Sequence, residues 1–196
     1  MTRRKGRVGV PAPRAGNLQA MEPLAVSVRP ERAADRDAIR ALHDAVFAEP
    51  DEGLIVDGIR GTGDAIEGGS LVALDGSGTV IGHLLASKGA IVGSDGVERQ
   101  VWMLGPFAVR ADLQGRGVGA RLMREQINLA TRRGVPLICL LGEASYYPRF
   151  GFSPARAMGI EPPQPWPDEA WQALKLPAYT SDLRGRARYA APFKVG

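Results

Sequence analysis

Residues 99–141 leave this chain few ways to fold. Residues 99–109 read as a long apolar strand, 117–133 as an amphipathic helix, and 135–141 as an unbroken apolar strand. Val118, Leu122, Ile127, Leu129 and Ala130 recur at helical spacing and form most of the helix's buried side, and Gly134 ends it. A strand that is apolar throughout is buried on both faces, which places 135–141 centrally and parallel to the strand before the helix. The crossover between them is then right-handed. Between the first strand and the helix stands Gln114-Gly115-Arg116-Gly117-Val118-Gly119. Gly105-Pro106 interrupts that strand, and a proline removes a ladder donor, so a bulge or splay is expected there.

The remaining segments attach to this unit. Residues 24–29 alternate as a first strand. Ile39, Leu42, Val46 and Phe47 share one stripe of a helix over 34–48, which Pro50 stops, and 53–60 form a weaker helix. Strands at 70–74 and 79–87 flank the turn signal Asp75-Gly76-Ser77-Gly78, and Gly93-Ser94-Asp95-Gly96 makes a second turn. Beyond Phe152 the pattern weakens. Pro162, Pro163, Pro165 and Pro167 mark a loop, 168–174 suggest a short helix, and 188–193 a last strand. With no repeats and no second core, residues 23–196 read as one α+β domain. Its mixed central sheet has six to seven strands flanked by helices. The core motifs fall in 100–155 and a C-terminal extension in 156–196.

Charge narrows the partners. The net charge of +4 suggests nucleic acid, but Arg3, Arg4, Lys5, Arg7 and Arg14 all precede Met21, with no acidic residue among them. Without those five, 20 basic residues face 21 acidic ones. The body is therefore near neutral, and nucleic acid is disfavoured as a partner. Residues 1–22 read as a basic, disordered tail without the pattern of a signal peptide, and Met21 is an alternative start. No apolar run approaches the roughly 20 residues of a membrane helix. Cys139 is the only cysteine, so no internal disulfide forms, which fits a cytoplasmic location. It reads as core in its apolar strand. No His/Cys/Asp cluster has metal-ligand spacing.

The glycine turn is where chemistry enters. A strand-to-helix turn exposes N–H groups without helical partners, at an end carrying roughly half a positive charge. Glycine keeps side chains out of the way and tolerates unusual φ, so an anion can approach bare backbone. Arg116 and Arg121 add positive charge. Gly115, Gly117 and Ala120 also satisfy the dinucleotide pattern G-x-G-x-x-A. That fingerprint belongs at the first strand of a doubly wound domain, whereas about four strands precede this one.

The stretch 114–119 resembles the Q/R-x-x-G-x-G/A motif of the GNAT acetyltransferase superfamily. The segment Tyr146-Tyr147-Pro148-Arg149-Phe150-Gly151-Phe152 resembles that superfamily's later F-Y-x-x-x-G-F segment. The order of elements over 26–155 is similar too. The resemblance implies acetyl-CoA as cosubstrate, no metal, and direct acetyl transfer to a primary amine, of a small molecule in the first instance. It implies that Phe107 offers a backbone N–H to the oxyanion. Phe107, Ala108 and Val109 would then hold the pantetheine arm, and Gln114, Gly115, Arg116, Gly117, Val118, Gly119 and Ala120 the pyrophosphate. Tyr147 would protonate the departing thiolate as general acid, and Tyr146 would pack or touch the arm. A phenol with a pKa near 10 stays protonated at neutral pH, which suits that task. Many relatives carry an asparagine after the strand at 135–141, where this chain has Gly142-Glu143-Ala144-Ser145. A non-catalytic acyl-CoA-binding domain and a protein or peptide amine acetyltransferase are the alternatives. Dimers are common in such folds.

The general base is not legible. His43, His83, Glu49, Asp51, Glu52, Glu143 and a water chain are all candidates. Trp102, Trp166 and Trp171 read equally as sheet packing or as a roof over the acceptor.

Overall fold

The computed structural model describes residues 24–47 and 51–190. The chain runs β1 (Ser27–Pro30), α1 (Arg36–Val46), α2 (Asp51–Thr62), β2 (Ala65–Leu74), β3 (Val80–Val92), β4 (Glu98–Val109) and α3 (Val118–Arg132). It continues with β5 (Leu137–Leu141), β6 (Ser153–Pro154), β7 (Ile160–Glu161), β8 (Trp171–Lys175) and β9 (Gly185–Arg188). These strands make one mixed sheet in the order β1-β2-β3-β4-β5-β8-β6, with β9 pairing both β3 and β7. The expected basic tail and residues 191–193 of the expected last strand lie outside the described residues. The strand found there is Gly185–Arg188, which shares only Arg188 with the expected 188–193 because its partners are Ala90–Val92 of β3 and the short β7.

Local chemistry sets the elements. The Asp75 carboxylate accepts the N–H groups of Ser77 (2.9 Å) and Thr79 (3.0 Å), which closes the β2–β3 hairpin. Asp35 accepts the Arg32 N–H at 2.7 Å and pairs with the Arg29 guanidinium, fixing the start of α1 against β1. At the end of α3, Gly134 turns with φ +67° and the Val135 N–H returns to the Ala130 carbonyl. The buried side of α3 is Val118, Leu122, Met123, Gln126 and Ala130, while Ile127 and Leu129 sit half-buried at its margin.

Alternation along β2 and β3 sends side chains to two faces. Leu71 and Leu84 meet Leu122 and Met123 of α3 on one face. Val72 and Leu85 meet Ile39 of α1 and Ile59 of α2 on the other. A third cluster, with Ile91, Met103, Cys139, Trp171 and Ala187, fixes the C-terminal strands to the same sheet.

The C-terminal extension departs further from expectation. The segment 168–174 is not a short helix, because Trp171–Lys175 forms β8, antiparallel to β5. Apolar β5 has two edges to satisfy, and pairing with Leu137–Leu141 outweighs the helical leaning of alanine and leucine in so short a segment. Among the described residues the mixed sheet has the expected strands and, besides the six read from sequence, β8 and the two-residue β6 and β7.

The expected irregularity of β4 is present. Ala86 opposes Leu104 and Leu84 opposes Phe107, so β4 carries one extra residue around Gly105-Pro106. Its parallel pairing with β5 covers only Trp102–Leu104 against Ile138–Leu140. Past Leu104 the two strands part, and a gap opens in the sheet.

Candidate active site

The gap is lined by backbone whose direction follows from the ladder. The Arg110 N–H bonds the Ile81 carbonyl at 3.0 Å, so these two residues form a hydrogen-bonded pair. In an antiparallel ladder such pairs alternate with non-bonded ones. Ala108, opposite His83, therefore turns its peptide groups toward β3, whereas Phe107 and Val109 turn theirs to the open edge. The Gln114 side-chain amide donates to the Val109 carbonyl at 3.1 Å from that edge, as this alternation requires.

Next to the open edge lies a cleft of about 590 Å³. Phe107, Val109, Gln114, Gly115, Gly117, Gly119, Ala120 and Tyr147 line it, so most of the residues singled out in the sequence converge there. Buried Ala108 and Val118 and exposed Arg116 are not among its walls. Gly115 (φ +74°) and Gly117 (φ +87°) take the left-handed turn that starts α3. The Arg121 N–H reaches the Gly117 carbonyl at 3.0 Å, and the amides just ahead of it are those a helix leaves without internal partners. Gly119 answers to packing instead. A methyl group there would lie 2.8 Å from Tyr146 Oη and 3.0 Å from Phe107 Cζ.

Tyr146 and Tyr147 stand edge to face, ring centroids 5.1 Å apart. The Arg149 guanidinium covers Tyr146 at 4.8 Å and also lines the cleft. Burial, with a smaller contribution from neighbouring Tyr146, pushes the Tyr147 phenol up to about 12. It is held in its protonated, proton-donating form.

A second cavity of about 300 Å³ lies beyond Phe47, Phe107 and Tyr147, which line both spaces. Its other walls include Glu52, Ile55, Pro106, Leu141, Trp166 and Tyr189. The fold thus provides two compartments beside the gap between β4 and β5, with Tyr147 on the wall of both.

The histidines belong elsewhere. His43 Nε2 lies 2.8 Å from His83 Nδ1, and His83 Nε2 lies 2.9 Å from Ser70 Oγ. The Ser70 hydroxyl donates to the Glu31 carboxylate, which pairs with Arg60 at 2.8 Å. An ionised Glu31 fixes every proton in the chain. Ser70 gives its proton to Glu31 and accepts from His83 Nε2, and His83 Nδ1 accepts from His43 Nε2. Burial, the neighbouring His83 and the Arg60 charge bring His43 down to about 3. Burial also lowers His83, more than Glu31 raises it. Both rings are wholly buried, neutral at physiological pH, and absent from the walls of either compartment. They pin α1 to β2 and β3. Nothing local in the sequence signals this pair, because the residues lie 40 positions apart and meet only when α1 packs on β3.

Of the other candidates for the base, Glu143 lines the cleft and Glu52 the second cavity. Glu49 and the side chain of Asp51 lie outside the described residues. Trp102 and Trp171 pack in the core, whereas Trp166 borders the second cavity. Cys139 is wholly buried, and burial raises its thiol. Among the described residues no group of three or more His, Cys, Asp or Glu could hold a metal ion. No helix among them is long and apolar enough to cross a membrane.

Comparison with known proteins supplies relatives of this fold. Residues 27–155 match the family model described as an acetyltransferase (GNAT) domain. Over 123 residues the chain is 36% identical to the uncharacterized N-acetyltransferase YjhQ of Escherichia coli, spanning 61% of this chain and 67% of YjhQ. The Escherichia coli GNAT family N-acetyltransferase YhbS, solved in complex with CoA, superposes with a TM-score of 0.78 at 26% identity, over 88% of this chain and 93% of YhbS. A GNAT family acetyltransferase from Brucella melitensis, solved with acetyl-CoA, gives 0.70 at 30% identity, over 87% of this chain and 99% of that one.

Proposed function

The chain belongs to the GNAT acetyltransferase family, and we propose that it moves an acetyl group directly from acetyl-CoA to a primary amine of a small molecule. Acetyl-CoA is the cosubstrate, and two relatives are solved with CoA or acetyl-CoA. The residues present fit it. The amides at the start of α3 face a cleft that can take a diphosphate, and the open edge of β4 offers peptide groups to an extended arm. When bound, the cosubstrate supplies an activated acetyl thioester.

The rest is done by this chain. The Phe107 N–H, turned to the open edge, donates to the acyl oxygen as that oxygen gains charge, and one such donor contributes about 3 kcal/mol to the barrier. The Val109 peptide groups and the glycine turn orient the cosubstrate. Tyr147 gives its phenolic proton to the departing sulfur. The attacking amine enters from the second cavity and must be neutral to attack. Glu52 and Glu143 are the described carboxylates near its path, while the histidine pair is turned away.

The observation that carries this reading is the position of Tyr147 on the wall shared by both compartments. The test is release of free CoA thiol from acetyl-CoA in the presence of a panel of amines, with mass spectrometry of the products. Acetylated amine appearing in step with thiol supports the proposal. Tight acetyl-CoA binding without any acetylated amine across the panel refutes it.

A further inference from the structure

Arg149 is the one cation among the described residues on the walls of the cosubstrate cleft. It belongs to the tight turn Tyr147–Phe150, which Pro148 stiffens and the Gly151 N–H closes onto the Pro148 carbonyl at 3.0 Å. Its guanidinium lies over the Tyr146 ring, 4.8 Å from the centroid. That ring is held in turn by Tyr147 at 5.1 Å, Phe150 at 5.5 Å and Phe107 at 6.2 Å. Packing therefore places the cation before a ligand arrives, and little side-chain freedom is lost on binding. A guanidinium that stacks by its face offers its N–H edge, the part that grips a phosphate in bidentate fashion.

A second arginine stands on the same side. Arg124 of α3 lies over Phe150, 6.0 Å from the ring centroid. Burial raises the Tyr146 phenol, and the Arg149 and Arg124 charges oppose that rise, so both act on one hydroxyl. That hydroxyl marks the boundary with the glycine turn, since a methyl group on Gly119 would lie 2.8 Å from it. Arg124 is five residues beyond Gly119, about 7.5 Å further along the helix. The two arginines thus flank the cradle for the diphosphate without being part of it.

The cosubstrate carries a group that suits them. Besides its diphosphate, CoA bears a 3′-phosphate on the adjoining ribose, a monoester with about two negative charges at neutral pH. The amides of the glycine turn can take the diphosphate, which leaves the monoester to side chains. Arg116 and Arg121 of that turn are not among the cleft walls, and Arg149 is. We propose that Arg149, backed by Arg124, holds the 3′-phosphate of the cosubstrate, so that the chain selects CoA over dephospho-CoA. This rests on the acetyl-CoA reading and extends it to the group by which the two coenzymes differ.

The test is a thermodynamic cycle read by calorimetry, with CoA and dephospho-CoA titrated into the wild type and into Arg149→Met. The wild type should bind CoA at least about tenfold more tightly than dephospho-CoA. Arg149→Met keeps an apolar chain over Tyr146. It should lose about tenfold for CoA and change little for dephospho-CoA, so the preference collapses. Arg149→Lys should keep part of the preference, because a point charge replaces the fork. Arg124→Met should lower it less than Arg149→Met does. Raising the salt should erode CoA binding faster than dephospho-CoA binding. Equal wild-type affinities for the two ligands overturn the proposal, whether or not the variants fold. So does an equal loss for both in Arg149→Met, which would assign Arg149 to the diphosphate or to the packing of Tyr146. Absence of binding by either ligand overturns the acetyl-CoA reading as well. A CoA preference that depends on Arg149, in a protein that acetylates no amine, leaves this subsite standing and overturns acetyl transfer alone.

Discussion

The Tyr147 ring lies directly over the Cα of Gly142, so that a methyl group at residue 142 would sit 2.9 Å from the phenol oxygen and closer still to the ring. The backbone cannot give way. The Gly142 N–H bonds the Ala170 carbonyl at 2.9 Å, and the Gln172 side chain donates to the Gly142 carbonyl. At this position the chain has a glycine that makes room for the phenol.

Gly142→Ala should therefore displace Tyr147 and not the strand. The expected outcome is a fall in kcat with acetyl-CoA affinity nearly unchanged, at a stability cost of about 1–3 kcal/mol for overpacking. Stopped assays together with calorimetry check it. Full activity in the variant would show that the ring position does not matter.

Tyr147→Phe removes the phenolic proton alone. A fall in kcat of about 100-fold or more is expected, with cosubstrate binding retained. The pH dependence has a definite sign. Burial and Tyr146 raise this phenol from about 10 to about 12, so the proton-donating form persists through ordinary alkaline pH and is lost only as pH rises through 12. The kcat profile of the wild type should show no falling limb assignable to Tyr147 between pH 8 and 10.

The Glu31–Ser70–His83–His43 chain predicts acid sensitivity of the fold rather than of the chemistry. His43 falls from 6.5 to about 3 through burial, His83 and Arg60. A depressed histidine stabilises the fold above pH 6.5, and that contribution is lost as pH falls through the window down to 3. Burial would raise Glu31, but His83, Arg60 and Ser70 outweigh it and hold the carboxyl near 2, so its contribution is present above 4.5 and lost toward 2. His43→Gln should flatten the dependence of Tm on pH below 6.5 while leaving the pH profile of kcat/KM in place. A shifted kinetic profile would return His43 to the list of bases.

Gly119→Ala should act on the cosubstrate. The added methyl presses on Tyr146 Oη and on Phe107, both on the cleft wall. Acetyl-CoA affinity should fall by about tenfold, equivalent to about 1.4 kcal/mol, as calorimetry would register. Unaltered affinity would mean that the cleft tolerates the repacking.

How much of this was legible in the sequence depends on the range of the interactions. The strand–turn–helix–strand unit follows from local pattern, because period, glycine turn and cap all lie within a few residues of one another. The parting of β4 from β5 followed from one proline in an otherwise apolar run. By contrast, β8 was hidden because Trp171–Lys175 is a strand only by virtue of the β5 edge beside it. The histidine pair was hidden for the same reason, since it needs the packing of α1 on β3. Gly142 looked like a missing asparagine until the Tyr147 ring was seen above it. That Glu52 lines the second cavity could not be read from sequence, because it depends on how α2 packs beside β4 and β5.

Phe47, Phe107 and Tyr147 line both compartments at once, and under the proposed transfer that has a kinetic signature. The acyl group can cross without resting on a protein nucleophile, and the sole thiol, Cys139, is sealed in the core. Turnover then demands both reactants together. Double-reciprocal plots at several fixed acetyl-CoA concentrations should intersect, not run parallel. Isotopic exchange between labelled CoA and acetyl-CoA should be silent until an amine is added.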